Sequence, residues 1–222
     1  LLFKEVADQT GRLFDPDYLT IVWARRFAGY KRADLIARDI EKFEEMLNDS
    51  ERPVQIIWAG KPFPKDYGAV DMFNKLINLT KKYSNAAVLV GYELSLSKLL
   101  KDGSDMWLSN PVVTREASGT SGMTAAMNAS VNFSTYDGWV CEFSQHGYNS
   151  YLIPEADPNL SEEARDHYDM LGYYQVLETE VLPTYYDRPD DWWQLVLNSM
   201  NDVVPFFDSN RMADEYYNKM YT

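Results

Sequence analysis

Residues 19–60 read LTIVWARRFAGYKRADLIARDIEKFEEMLNDSERPVQIIWAG. The first six, LTIVWA, are β-branched, aromatic or small, and fit a buried strand. In Lys31–Leu47, the apolar residues Leu35, Ile36, Ile40, Phe43 and Leu47 recur near helical spacing, which predicts a helix. VQIIWA at Val54–Ala59 is a second strand, ended by Gly60. Strand, amphipathic helix, strand is a unit that pairs its strands in parallel through a right-handed crossover.

The alternation continues outward. Ala69–Tyr83 predicts a helix with Val70, Phe73, Leu76, Ile77 and Leu79 inward. Further strands are expected over 86–90, 105–108 and 131–133. Between them fall a short helix at Leu94–Leu100 and another beginning near Gly119. The expected fold is α/β, a doubly wound parallel sheet of the Rossmann-like kind. Toward the carboxyl end the strands stop. Asp157–Leu177, Asp190–Val203 and Arg211–Tyr221 predict helices, with Pro154, Pro158, Pro183, Pro189 and Pro205 as breakers. Residues 157–222 then form a mostly helical extension of one domain spanning 1–222.

Composition narrows the classes. Cys141 is the one cysteine, so no internal disulfide forms, and with only His146 and His167 no metal site can rest on Cys and His. That is the composition of a reducing compartment, and a cytoplasmic location is expected. No run reaches a membrane span of about 18 apolar residues. The opening LLFKEVADQT lacks the basic region and cleavage site of a signal peptide, and reads as cut from a longer chain. Net charge is −13, and residues 151–222 carry most of it, with 4 Lys/Arg against 15 Asp/Glu. Acidity on that scale disfavours nucleic acid and anionic membrane as partners; its plainest reading is a solvated helical face.

Ligands of open parallel sheets bind beyond the carboxyl ends of the strands. After the first strand come Arg25, Arg26, Phe27, Ala28, Gly29, Tyr30, Lys31 and Arg32, four cations in eight residues. Arg26 can hold a phosphate through its bidentate fork and Lys31 can add a point charge. The same residues also read as a solvated basic turn. Gly60-Lys61-Pro62 and Gly91-Tyr92-Glu93, after the next two strands, are mostly turn chemistry. Glu116-Ala117-Ser118-Gly119-Thr120-Ser121-Gly122-Met123 runs into Thr124–Ala129, a good helix former. Small residues there let backbone N–H groups approach a ligand, and a helix start favours anions. Ser118 or Thr120 as a simple N-cap is the alternative. Glu116 suits sugar hydroxyls better than phosphate. Neither G-x-G-x-x-G nor G-x-x-x-x-G-K-[ST] occurs, which argues against a dinucleotide site and a P-loop.

Taken in order, RRFAGYKRADLI (25–36), AGKPFPKDYG (59–68), GYELSLSKLL (91–100), SDMWLSNPVVTREASGTSGM (104–123) and NFSTYDGW (132–139) resemble the C-terminal domain of α-glucan (glycogen, starch or maltodextrin) phosphorylases. VPFFDSNRMADEYYNKMY (204–221) resembles that family's terminal helix. The likeness runs from about residue 18 to 222 and is nearer to bacterial and archaeal members than to the long regulated animal enzymes.

The resemblance implies one half of a two-domain GT-B glycosyltransferase, whose cleft lies between this domain and an N-terminal domain reached by the last helix. It implies phosphorolysis of α-1,4-glucan by inorganic phosphate to glucose 1-phosphate with retained configuration, and it leaves a homodimer open. It implies pyridoxal phosphate as cofactor, used for its phosphate group. On the matching motifs, Arg26 and Lys31 resemble ligands of the substrate phosphate and Tyr30 a glucose contact. Glu116, Ser118 and Gly119 resemble contacts to glucose hydroxyls. Arg25 resembles the position facing the cofactor phosphate, where lysine is commoner; Tyr92 resembles a cofactor-side residue, and Thr120 and Ser121 the cofactor-phosphate cradle.

One position departs. The cofactor-bearing lysine of the family follows the methionine of EASGTSGM, and here Thr124 stands there. A threonine forms no Schiff base. The nearest lysines in sequence, Lys101 and Lys219, lie outside the motif. Three functions stay open: a phosphorylase that holds its cofactor without a covalent bond, a transferase using a nucleotide-sugar donor, and a glucan-binding or regulatory module without catalysis. An isolated 222-residue piece is expected to be inactive.

Overall fold

A computed structural model describes residues 1–221. Its centre is a six-stranded sheet, all parallel, of β1 (Leu19–Ala24), β2 (Val54–Ala59), β3 (Ala86–Leu89), β4 (Met106–Ser109), β5 (Val131–Ser134) and β6 (Tyr151–Leu152). The order is β3-β2-β1-β4-β5-β6. The chain winds outward from β1 to β3, returns to β4 on the other side of β1, and winds outward again. The carboxyl ends of β1 and β4 therefore flank the point where the winding reverses, and a crevice opens there.

Every residue of β1 and β2 is buried, which is why both read as unbroken apolar runs instead of alternating ones. Their side chains still alternate. Leu19, Ile21, Trp23, Val54, Ile56 and Trp58 enter one core, with Phe43 of α2 (Ile40–Asn48) and Leu76 of α3 (Tyr67–Thr80). Val22, Ala24, Ile57 and Ala59 enter the other, against α1 (Leu2–Thr10) and α4 (Leu94–Gly103). Helices on both faces of a parallel sheet complete the expected doubly wound architecture.

Past β4 lie α5 (Thr120–Ala126) and α6 (Val140–Phe143). Then follow α7 (Glu162–Val176), a π-helical turn at Leu177–Val181, α8 (Leu182–Asp187), α9 (Pro189–Phe206) and α10 (Ser209–Met220). Met170, Tyr173, Tyr174, Trp192 and Leu195 join the first core, so α7 and α9 are part of the sheet's packing. α10 buries no residue.

Several boundaries depart from expectation. Lys31–Leu47 is not one helix. It holds two 3₁₀ turns, Gly29–Lys31 and Leu35–Ala37, and α2 starts only at Ile40, where the Asp39 carboxylate accepts from the Lys42 amide at 3.1 Å. Tertiary bonds override helical periodicity here, because Arg32 is drawn into the protein with a left-handed φ of 48°. The Thr124–Ala129 run stops being helical after Ala126, and Ala129 is left-handed, with φ 68°. Pro205 does not break its helix; it lies in the last turn of α9, one residue from the end, and Pro189 sits at the first turn, which suits its fixed φ. Asp157–Ser161 is a loop capped into α7 by the Ser161 hydroxyl. α1, α6, α8 and the two-residue β6 carry sequence signals too short or too weakly periodic to announce them.

Candidate functional site

Two loops meet at the reversal point, one after β1 and one after β4. The first keeps a strand-like alternation. Arg25 and Phe27 point inward, with their amides donating to Ala59 and Lys61 carbonyls at 3.1 and 3.2 Å, and Arg26 points outward. Arg32 then fastens the loop. Its guanidinium donates to the carbonyls of Asn110 and Pro111, each at 2.9 Å, and pairs with Asp166 and Asp169 of α7, each at 2.7 Å. Asn110 returns a bond from its amide to the Arg32 carbonyl at 2.9 Å and accepts from the Trp23 indole at 2.8 Å. The Val112 amide donates to the Tyr30 carbonyl at 2.7 Å. Arg32 is thus a brace between loops, buried too deeply to reach a ligand, and the four-cation cluster offers three.

Glu116 joins two of those three. Its Oε2 accepts from Lys31 Nζ at 2.6 Å and from Arg25 Nη1 at 3.4 Å. Arg25 also donates to the Ser109 hydroxyl at the end of β4. Its Nε is buried and has no hydrogen-bond partner. Burial pushes the Arg25 pKa down, and Glu116, with the nearby Tyr30 and Tyr92 phenols, works against that. Arg26 is exposed and unpaired. Two cations around one carboxylate leave this cluster net positive, and the free donor of Arg25 is a standing demand for an acceptor, since an orphaned buried donor costs about 1–3 kcal/mol.

The loop carrying Glu116 is held from beneath by residues after β5. Asp137 Oδ2 accepts from the amides of Arg115 and Glu116 at 3.1 and 2.9 Å, and the Trp139 amide donates to the Ser118 carbonyl at 3.1 Å. Gly138 passes so close that a Cβ there would stand 2.2 Å from the Ser118 carbonyl oxygen, and its φ is +62°. At Gly122 a Cβ would meet Asn132 Oδ1 at 2.7 Å and the Trp139 indole at 2.9 Å. Trp139 stacks on Phe143 at 4.2 Å between ring centroids. Asp137, Gly138 and Trp139 belong to the motif NFSTYDGW, yet no role was legible for them, because they shape the site through backbone contacts.

The remaining residues fall around this hub. Tyr30 is half-buried, with Lys31 Nζ 5.0 Å from its ring centroid. The Tyr92 hydroxyl lies 3.4 Å from the Ser97 hydroxyl. Ser118 is exposed, and Gly119 takes a φ of 112° just ahead of α5. Thr120 and Ser121 open that helix, and their carbonyls accept from the Thr124 hydroxyl at 3.2 and 3.1 Å. At seven residues, α5 is too short to contribute much through its dipole. The electrostatics of the crevice rest on the side-chain cations. Among the described residues, no group of three or more His, Cys, Asp or Glu is placed to hold a metal ion, and no helix is long and apolar enough to cross a membrane.

A doubly wound sheet with Arg25, Lys31 and Glu116 gathered at its reversal point is a nucleotide-fold domain with a charged crevice where open parallel sheets take their ligands. The sequence model of the carbohydrate phosphorylases matches residues 1–153, so the chain belongs to the carbohydrate phosphorylase family. Glycogen phosphorylase of Aquifex aeolicus is 38% identical to 99% of the chain, and maltodextrin phosphorylase of Thermococcus litoralis 37% identical to 94% of it. An uncharacterized protein of Methanocaldococcus jannaschii is 44% identical over the whole chain. The chain spans 33%, 25% and 41% of the lengths of these three relatives, respectively.

Proposed function

We propose that this chain forms the C-terminal wall of the catalytic cleft of an α-glucan phosphorylase, which cleaves α-1,4-glucan with inorganic phosphate. The observation that carries the reading is the buried, unsatisfied Nε of Arg25 beside the Lys31–Glu116 pair at the reversal point of the sheet. Phosphate has the charge and oxygens to satisfy it.

In this reading Arg26 and Lys31 hold the substrate phosphate. Glu116, fixed by Asp137, accepts hydrogen bonds from glucose hydroxyls, with Tyr30, Ser118 and Gly119 around the sugar. An oxygen of hydrogen phosphate bonds to the anomeric carbon, the glycosidic C–O bond breaks, and the leaving oxygen takes the proton that the phosphate carried, giving glucose 1-phosphate and a glucan one unit shorter. The cations localise phosphate negative charge against the sugar, where a water-poor cleft makes each contact stronger.

The residues fit pyridoxal phosphate in part. Arg25, with its free donor, and Thr120 and Ser121 are suited to a phosphate ester, and Tyr92 to the neighbouring ring. Thr124 offers no amine at the position where the family carries its lysine. When bound, the cofactor supplies a phosphate group next to the substrate phosphate. The chain's own work is to hold that group by charge and hydrogen bonds instead of a covalent tether at residue 124.

An N-terminal domain supplies the opposite wall, and α10, which buries nothing here, is the element available to reach it. The chain alone therefore releases no glucose 1-phosphate from glucan and phosphate. The hydroxyl at Thr124 is the one feature that favours a second reading, a nucleotide-sugar transferase or a non-catalytic glucan binder. Assays of the full-length protein with glucan and phosphate, with and without pyridoxal phosphate, and separately with nucleotide sugars, decide between them. Phosphorolysis supports the first; glucan elongation from a nucleotide sugar, or binding without turnover, supports the second.

A further inference from the structure

The opposite end of the sheet carries a second concave surface. α8 lies beneath the amino ends of the strands, where the Tyr186 hydroxyl accepts from the Leu19 amide at the start of β1 at 3.0 Å. Between α8, α9 and the turn at 147–151 that leads into β6 runs a groove of about 640 Å³, the size of a ligand cleft. None of its lining residues belongs to the crevice at the carboxyl ends.

The groove is polar, and its polar groups are only partly engaged. His146 Nδ1 accepts from the Leu152 amide at 3.0 Å, so Nε2 carries the proton and donates to Glu180 Oε2 at 2.7 Å. Asp191 turns Oδ2 toward Arg188 Nε at 3.2 Å, and Gln194 donates its amide to Asn198 at 2.9 Å. Among the described residues, the second oxygen of each carboxylate, the Gln194 carbonyl oxygen and the Tyr148 hydroxyl hold no hydrogen bond, and the Tyr148 ring meets no other ring. Tyr148 is half exposed, which leaves its ring accessible from the groove. Glu180 is delivered by the π-helical turn Leu177–Val181. Such a turn re-aims side chains that a regular helix would carry elsewhere, and it recurs at functional sites.

Charge and composition select the ligand. Two carboxylates against one guanidinium disfavour an anion. A neutral ligand rich in hydroxyls fits, because each hydroxyl both donates and accepts, and the carboxylates, amides and guanidinium supply the counterparts. The tyrosine ring adds an apolar face for the C–H side of a sugar. We propose that this groove is a second saccharide-binding site, which grips α-glucan away from the crevice. The inference rests on the functional reading above for the identity of the sugar, and adds to it a second hold on the same polymer. A polymer held there keeps its free chain ends near the crevice at a raised effective concentration.

The test uses the full-length protein. Electrophoresis through gels containing glycogen measures polymer binding, and glucose 1-phosphate release from glycogen and from maltopentaose measures turnover. Tyr148 and Gln194 are both exposed, so their truncation spares the core, and circular dichroism confirms the fold. Tyr148→Ala and Gln194→Ala should each weaken glycogen binding and raise the KM for glycogen about five-fold or more, with kcat and the KM for maltopentaose within about two-fold of wild type. Unchanged glycogen binding in both variants overturns the site. A parallel loss of maltopentaose turnover overturns it too, because the effect would then not be confined to a second hold. If the wild type cleaves maltopentaose in either event, the second site alone has failed. Glycogen binding that depends on Tyr148, without phosphorolysis of either substrate, would sink the functional reading and leave the groove standing.

Discussion

Lys31 Nζ donates to Glu116 Oε2 across 2.6 Å, joining the loop after β1 to the loop after β4 at the point where the sheet reverses its winding. Two segments 85 residues apart thereby share one ion pair, with Arg25 completing it from below at 3.4 Å. Both acidic and basic members are largely buried, so the pair's geometry is set by the fold and not by chance encounter at the surface.

Removing the negative member should loosen the competition for the cations. Glu116→Gln keeps the shape and the hydrogen bonds but releases Arg25 and Lys31 from a carboxylate. Affinity for inorganic phosphate should rise about 5–10-fold, roughly 1–1.4 kcal/mol. Affinity for glucose 1-phosphate should rise less, because a sugar contact is weakened at the same time. Calorimetric titration with both ligands checks this, and weaker phosphate binding in the variant would count against a shared anion site.

Arg32 should be felt in stability instead. Its side chain is essentially buried, pairs with two carboxylates and donates to two carbonyls. Truncation to alanine strands Asp169 without its cation, and removing one partner of a buried network costs about 3–5 kcal/mol. Urea unfolding of Arg32→Ala should show a loss on that scale, against less than about 1 kcal/mol for Arg26→Ala, whose side chain is exposed and unpaired.

How much of this could be read from the chain follows from what each residue does. LTIVWA and VQIIWA announce themselves because both sheet faces are covered, so every position must be apolar. Arg25, Lys31 and Glu116 are legible as unusual charges placed after strands. Arg32 looks the same in sequence and does a different job, because only the fold shows Asp166 and Asp169 waiting on α7, more than 130 residues on. Asp137 and Gly138 escape notice for the opposite reason. They act through main-chain donors and a missing Cβ, and neither leaves a periodic or charged trace.

Gly138 supplies a sharp test of that support. A methyl group there would lie 2.2 Å from the Ser118 carbonyl, at a φ of +62° that side chains resist. Gly138→Ala should displace the Glu116–Gly119 loop and cut phosphate and sugar binding at least ten-fold, with near-native circular dichroism. Unchanged binding would mean that this loop does not shape the site.

Asp105 makes stability depend on pH. It sits at the amino-terminal side of the sheet, accepts from the Thr20 amide at 2.8 Å, and burial raises its pKa from 3.8 to about 6. A raised carboxyl pKa means that the folded state binds the proton more tightly. The group therefore costs nothing below about pH 4, and its penalty grows as pH rises through 6, to on the order of 2–3 kcal/mol. Comparing wild type with Asp105→Asn by urea unfolding from pH 4 to 7, the difference should shift by that amount in favour of the variant. A flat difference would show that Asp105 titrates normally.

The Thr124 hydroxyl is engaged with the carbonyls of Thr120 and Ser121, one turn back. Thr124→Lys in the full-length protein should restore an amine at the position where the family carries its lysine. After pyridoxal phosphate and borohydride, an adduct should appear at position 124. An unlabelled position 124 would indicate that the site does not accept the cofactor.

The most direct measurement is glucose 1-phosphate release by the full-length protein, supplied with α-1,4-glucan, inorganic phosphate and pyridoxal phosphate, beside its Arg26→Ala and Lys31→Ala variants. The account predicts release that requires both glucan and phosphate and falls at least 100-fold in each variant. Release that is unaffected by the two substitutions, or glucan elongation from a nucleotide sugar with no phosphorolysis, would contradict it.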